Sequence, residues 1–169
     1  FAYYGINDED AGRAVARELV NAMGQTGVVA ILAGNQSAPN LQTRVRGVKD
    51  ELSKHPGISV KDVYYHPETA PDAAAKVKDV QVSNPDITGW AMVGGWPLFT
   101  ENALDGVADK AKVVSVDHLP EQLNYVRAGQ VQALVGQDCY GWGYRTVEML
   151  FDKVHENKSP AQVINNSDL

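Results

Sequence analysis

Short apolar runs alternate with amphipathic segments along the whole chain, and this alternation constrains the fold more than any other feature of the sequence. Six apolar runs predict β-strands, at residues 1–6, 28–32, 59–65, 89–93, 113–116 and 131–135. Several are continuously apolar and rich in β-branched residues, as expected for parallel strands that are covered on both faces. Strands that alternate with helices of this length are typical of βαβ units. We therefore predict an α/β fold with a doubly wound parallel sheet.

The segments between these runs predict helices. In the first, Ala11, Val15 and Leu19 recur at helical spacing, and Gly24 supplies a stop signal. The same periodicity predicts further helices at residues 39–55, 71–84, 99–107, 120–128 and 140–156.

Composition excludes several classes of protein. The chain has 169 residues, enough for one domain with its own core, and its 44% hydrophobic and 21% charged residues are ordinary for a globular protein. With a net charge of −6 and scattered basic residues, nucleic acid is not expected as a partner. One cysteine, Cys139, excludes an intramolecular disulfide. The start at FAYYGI, without methionine or signal peptide, we interpret as processing, truncation or a missing upstream segment.

Ligands of doubly wound sheets bind at the carboxyl ends of the strands, so function is expected in the loops that follow them. These loops are residues 34–40, 66–71, 94–97, 117–120 and 137–143. The loop at 94–97 reads GGWP, which places a large indole beside two residues that allow close backbone approach.

Arg44 is the first candidate binding residue. On a helical wheel it lies about 60° from Leu41, at the edge of the apolar stripe, whereas Arg46 lies about 140° from Leu41 and is expected to face water. An arginine in the first turns of this helix can donate a planar pair of N–H groups to hydroxyls or a carboxylate. The alternative is a surface arginine whose stem packs on the helix.

Polar residues follow the next two strands in the same way. Asp117 comes directly after a strand and is either a ligand carboxylate or a turn residue that caps the next helix. Gln137 ends the following strand and offers both a donor and an acceptor. Tyr140 and Trp142 could form a wall of the site or pack against the last helix. We interpret His118 as structural or as part of the rim, because no second histidine lies at ligand spacing.

The sequence carries none of the common cofactor-binding or nucleophile motifs. The glycines fit neither a dinucleotide-binding turn nor a Walker loop, and no G-x-S-x-G elbow presents a serine nucleophile. We therefore predict no cofactor, no metal site and no enzymatic activity. Amides, one arginine, one aspartate and several aromatic residues suit a neutral, hydroxyl-rich ligand.

The order IND-x-x-AGR, then ILAGNQSAPNLQTRVRGVKDEL, then VVSVDHLPEQLNYVRAGQVQALVGQDCYGWG, resembles the type I periplasmic sugar-binding proteins. These are solute receptors of bacterial ABC importers, similar to ribose- and galactose-binding proteins, and lactose-repressor-type regulators share their fold. The resemblance covers nearly the whole chain. It implies a Rossmann-like lobe of the type I periplasmic binding protein fold.

The resemblance also implies site residues. The family's binding arginine falls on Arg44, its aspartate on Asp117 and its glutamine on Gln137. Aromatic residues of the family are replaced by Val116 and Thr69.

A third departure lies at Gly94–Gly95, where relatives carry an Asn-Asp pair. We hypothesise that main-chain N–H groups replace the lost side-chain bonds and that Trp96 supplies an aromatic wall. On this hypothesis, Gly95→Asn alters ligand preference rather than stability.

Members of the resembled family have two lobes joined by three crossings. Residues 1–8 would then be the last strand of the first lobe and a hinge, residues 9–137 the second lobe, and residues 138–169 a segment that returns to the first lobe. The hinge residues would be Asn7, Asp8, Gln137 and Asp138. Most of a first lobe would be absent, which would leave the last helix exposed unless the missing lobe or a self-association partner covered it.

The resemblance therefore implies the sugar-binding component of an ABC importer that captures a sugar or polyol by hinge closure. Its partners would be this ligand and a membrane permease, and its location periplasmic or lipid-anchored outside the cytoplasm. The alternative is the effector domain of a lactose-repressor-type transcription regulator.

Overall fold

The computed structural model describes residues 2–167 as a series of strands, helices and turns in βα order. The strands are β1 (Tyr3–Gly5), β2 (Gly27–Ala33), β3 (Ile58–Tyr65), β4 (Gly89–Met92), β5 (Lys112–Val116), β6 (Ala133–Val135) and β7 (Ile164–Asn166). The helices are α1 (Asp8–Met23), α2 (Pro39–Leu52), α3 (Ala70–Ser83), α4 (Pro120–Arg127) and α5 (Cys139–Glu156), with a 3₁₀ turn at Trp96–Phe99.

The chain divides into two compact units. One is Asp8–Val135, and the other combines the residues up to Asn7 with those from Gly136 onward. The first unit contains a five-stranded sheet in the order β3-β2-β4-β5-β6, and every neighbouring pair is parallel. The predicted doubly wound α/β fold is therefore confirmed.

Both faces of this sheet are buried, because alternate residues of β2 enter two different apolar clusters. Val29 and Ile31 pack with α1 and α2, whereas Ala30 and Leu32 pack with α3 and the chain before β5. A strand covered on both faces needs apolar residues throughout, which explains the continuous apolar runs of the sequence.

Five predicted strands are confirmed to within two residues; the sixth, at residues 1–6, begins at residue 1, which lies outside the described residues. The helix predicted at residues 99–107 is wrong: the chain there forms successive turns. Asn102 and Gly106 adopt φ values of 58° and 74°, in the left-handed region, which interrupts an α-helix. The side chains of Ala103, Leu104 and Val107 are nevertheless buried. The apolar periodicity therefore predicted their burial correctly, although it did not predict the backbone conformation.

The second unit pairs β1 with β7 in parallel and contains α5. Asp138 caps α5 by accepting a hydrogen bond from the Gly141 N–H at 2.8 Å. No residue of α5 is buried. In residues 2–167, no helix is both long enough and apolar enough to cross a bilayer.

Candidate functional site

Sheet topology locates the candidate site in the unit Asp8–Val135. Strand β2 lies between β3 and β4, so the connections that leave β2 and β4 depart in opposite directions. Such a switch point opens a crevice at the carboxyl ends of the strands. The loops that border it begin at Gly34 and Val93.

Arg44 lies beside this switch point, buried on α2. Its Nε donates a hydrogen bond to Asp8 Oδ1 at 2.7 Å, and its Nη1 donates to the carbonyl oxygen of Val93 at 3.2 Å. These two bonds fix the plane of the guanidinium against the end of β4. Arg46 has 57% of its side chain exposed, as the helical wheel predicted.

The glycines of the GGWP turn make room for neighbouring side chains. A Cβ on Gly94 would lie 2.0 Å from the indole ring of Trp96, which therefore lies over this residue. A Cβ on Gly95 would lie 1.8 Å from Nε2 of Gln122. Within residues 2–167, the N–H groups of Gly94 and Gly95 donate to no backbone carbonyl.

The geometry at Gly95 leads to a different expectation for the substitution Gly95→Asn. Gln122 is fully buried, and its amide donates to the Gly95 carbonyl oxygen at 3.3 Å and accepts from the Leu119 N–H at 2.8 Å. Because the Gly95→Asn side chain would have to displace this amide, the substitution is expected to destabilise the fold rather than only alter ligand preference.

Asp117 follows β5 with an uncommon backbone conformation. Its φ is 74°, in the left-handed region, while its N–H donates to the Val135 carbonyl oxygen at 2.9 Å. Its Oδ2 would lie 2.9 Å from a Cβ on Gly95, so this carboxylate borders the GGWP turn. A non-glycine residue held in this region costs free energy and is often found at functional sites. Val116, which precedes Asp117, is buried in the core.

His66 is a further residue at the strand ends. It follows β3, is 5% exposed, and contacts Trp96 edge to face with 5.2 Å between ring centroids. Its Nδ1 accepts a hydrogen bond from the Glu68 N–H at 3.0 Å, and its buried Nε2 has no hydrogen-bond partner among the described residues. Burial lowers the pKa of His66, although the carboxylates of Glu68 and Asp72 act in the opposite direction.

Glu68 connects the loop after β3 to the loop after β2. Its Oε1 accepts a hydrogen bond from the Asn35 N–H at 3.0 Å and lies 2.6 Å from where a Cβ on Gly34 would be. Glu68 itself has a φ of 60°. Together with the His66–Trp96 contact, this joins the loops after β2, β3 and β4 into one network.

The remaining predicted residues are placed elsewhere or in the other unit. Thr69 is exposed and caps α3, where its Oγ1 accepts from the Asp72 N–H at 3.3 Å. Tyr140 is 83% exposed and stacks with Tyr144 on α5. Gln137 is buried, and its carbonyl oxygen accepts from the Cys139 N–H at 2.9 Å. In the first unit, therefore, Arg44, Gly94, Gly95, Trp96 and Asp117 come together, whereas Thr69 serves a helix terminus.

Sequence reasoning missed His66, Glu68 and Gln122. A histidine directly after a predicted strand was a usable signal, because the same position made Asp117 a candidate. Glu68 and Gln122 gave no signal, since their roles depend on glycines distant in sequence. Among residues 2–167, no three His, Cys, Asp or Glu side chains cluster as metal ligands.

A family model described as a periplasmic binding protein domain matches residues 1–158. The chain belongs to this family, and its fold is that of the type I sugar-binding members. Several solved structures that are similar to the chain contain a sugar or are named for one.

Two examples are at least 25% identical to the chain. An ABC transporter solute-binding protein from Burkholderia graminis, solved with D-arabinose, is 25% identical to the chain with a TM-score of 0.88. The match covers 99% of this chain and 59% of the Burkholderia protein. GanP, a glucose-galactose binding protein from Geobacillus stearothermophilus, is 26% identical with a TM-score of 0.90, covering 99% and 60%. A solute-binding protein from Actinobacillus succinogenes with bound D-allose, 23% identical with a TM-score of 0.90 and covering 99% and 60%, supports the fold alone. The chain thus spans about three fifths of these relatives.

Proposed function

We propose that the chain is part of a solute-binding protein of a bacterial ABC importer and that it captures a sugar or polyol. The observation that carries the proposal is the convergence of Arg44, the GGWP turn and Asp117 at the switch point of the sheet. Similar proteins from Burkholderia graminis and Geobacillus stearothermophilus are named for, or contain, sugars.

The chemistry of these residues suits a hydroxyl-rich ring. The guanidinium of Arg44, held in place by Asp8 and Val93, would donate to ring or hydroxyl oxygens. The Asp117 carboxylate would accept from hydroxyl groups, and the indole of Trp96 would cover an apolar face of the sugar. The main-chain N–H groups of Gly94 and Gly95 would take the place of side-chain donors.

Binding would be capture rather than chemistry, so the protein would not act as an enzyme. We assign residues 9–137 to the second lobe, and residues 1–8 and 138–169 to segments of the first. Asn7, Asp8, Gln137 and Asp138 would form the hinge, with Gln137, Thr69 and Tyr140 as additional contacts. Closure would select a state that a membrane permease recognises, outside the cytoplasm.

Calorimetric titration of the full chain with D-arabinose, D-glucose, D-galactose and D-allose tests this proposal. Asp117→Ala should weaken binding of the preferred sugar by at least about tenfold, since a charge-assisted hydrogen bond is lost. Asp105→Ala is the matched control, because Asp105 is exposed in the turns before β5.

Two results would count against the proposal. Unchanged affinity in Asp117→Ala would remove Asp117 from the site. Absence of binding by the unmodified chain to every sugar and polyol in a pentose, hexose and alditol panel would overturn sugar capture.

A further inference from the structure

His66 combines deep burial with an unsatisfied nitrogen. The residue is 5% exposed, and no described residue bonds its buried Nε2. Buried polar side-chain atoms nearly always have a partner, so an exception requires an explanation. None of the contacts assigned above to sugar binding uses this atom.

The proton of the ring can be placed from its other nitrogen. Nδ1 accepts a hydrogen bond from the Glu68 N–H at 3.0 Å, so Nδ1 carries no proton. Burial lowers the pKa of His66, which keeps the ring neutral near pH 7 even though Glu68 and Asp72 act to raise it and Lys76 to lower it. A neutral ring with a bare Nδ1 carries its hydrogen on Nε2. The unsatisfied group is therefore an N–H donor.

A cavity of about 490 Å³ adjoins this ring, large enough for a monosaccharide. It is lined by the last residue of β3 and by the loops that follow β2 and β3, at residues 34–36 and 65–68. The Glu68 carboxylate is tied to the Asn35 N–H on its wall. Trp96, which contacts the His66 ring, brings an indole from the loop after β4.

We propose that His66 is a ligand-binding residue whose Nε2–H donates to a hydroxyl oxygen of the bound sugar or polyol beside Trp96. This inference rests on the proposed function and adds a specific N–H donor from the loop after β3. Because Nε2 is buried and the His66 ring contacts Trp96, binding in this form requires the contact between the two rings to open around the ligand.

The two roles of the imidazole can be separated by a matched pair of variants. In His66→Asn, the amide oxygen can replace Nδ1 as acceptor for Glu68, but no group reaches the position of Nε2. In His66→Gln, the longer side chain brings an amide N–H to that position and loses the acceptor near Glu68. A purely structural histidine would make His66→Asn the milder change for both stability and binding.

The test is a titration of the full chain with D-arabinose, D-glucose, D-galactose and D-allose, followed by calorimetry and by long-range ¹H–¹⁵N NMR of the histidine rings. We expect sugar to shift the Nε2 resonance of His66 and leave that of His55 unchanged. We expect His66→Asn to weaken binding roughly fivefold, as for one lost neutral hydrogen bond, and His66→Gln to weaken it less. His55→Asn, at the far end of α2, is the control.

Failure of this inference differs from failure of the proposed function. If a sugar binds but the His66 resonance stays in place and His66→Asn keeps full affinity, the Nε2–H only packs against the indole and the inference is overturned. If none of these sugars binds at millimolar concentration, sugar capture and the His66 subsite are both overturned.

Discussion

Arg44 and Asp8, 36 positions apart in sequence, form an ion pair in which Nε of the arginine lies 2.7 Å from Oδ1 of the aspartate. Only 8% of the arginine side chain and 18% of the aspartate side chain are exposed. The pair joins the first residue of α1 to the first turns of α2 and holds the guanidinium beside the end of β4. The Arg44–Asp8 ion pair therefore connects the start of α1 to the candidate site.

Removal of the Asp8 carboxylate should show how much the ion pair with Arg44 stabilises the fold. We expect Asp8→Ala to lower the free energy of unfolding by about 2–3 kcal/mol, because a buried guanidinium loses its charged partner. Urea unfolding at pH 7 measures the change. Arg46→Ala removes a pair with 3.4 Å between charges on the surface and should change stability by less than about 0.5 kcal/mol. Equal effects of the two variants would contradict the assignment.

Gly95→Ala should be destabilising by about 1–3 kcal/mol, because its Cβ would overlap Nε2 of the buried Gln122. Thermal or urea unfolding measures this cost. Gly143→Ala in α5 is the control: its Cβ meets open space, so higher helix propensity should leave stability unchanged or raised. A neutral Gly95→Ala would mean that Gln122 can move aside without loss.

Protonation of His66 should lower the stability of the fold as the pH falls. Burial lowers the pKa of His66 in the folded state below its ordinary 6.5, so the unfolded chain binds more protons as pH drops through that value. The free energy of unfolding should therefore decrease below about pH 6.5, by at most about 1.4 kcal/mol per pH unit for this group. Urea unfolding at pH 7.5 and pH 5.5 measures the loss. His66→Asn should flatten this dependence, whereas His55→Asn should retain it; an unchanged slope in His66→Asn would show that other groups cause it.

The apolar face of α5 predicts self-association of the full chain. Val147, Leu150, Phe151 and Val154 share one side of the helix and are each more than half exposed. An apolar surface of this kind usually marks an interface. Sedimentation should detect species heavier than the 18.3 kDa chain, and the double variant Leu150→Glu, Phe151→Glu should reduce them. Arg145→Ala, on the exposed surface of the same helix, should not. A strictly monomeric unmodified chain would contradict the prediction.

Regular elements were predictable wherever burial and backbone conformation agree. In α2, for example, the apolar stripe predicted both the helix and the opposite environments of Arg44 and Arg46. Residues 99–107 show the opposite case: their apolar spacing is helical and their side chains are buried, but left-handed residues at Asn102 and Gly106 break the helix. The spacing of apolar residues indicates which side chains are buried. It does not indicate where a residue adopts the left-handed backbone conformation that ends a helix.

Site residues were predictable when their position followed from the strand that precedes them. Asp117 is an example, since any residue directly after a buried strand lies at the carboxyl edge of the sheet. The environment of Gly95 was not predictable, because it depends on Gln122, a residue from another element that lies against it. The role of His66 likewise depends on the indole of Trp96 and on the turn at Glu68.

The Glu68 carboxylate occupies the space in which residue 34 would carry a side chain, and it binds the main chain of the next residue. In evolutionary terms, positions 34 and 68 are therefore not independent. A side chain at position 34 would displace the Glu68 carboxylate, and the loop after β2 would then lose an anchor. Substitutions in the two loops are therefore expected to be coupled, because the residue at position 68 sets how much room position 34 has for a side chain.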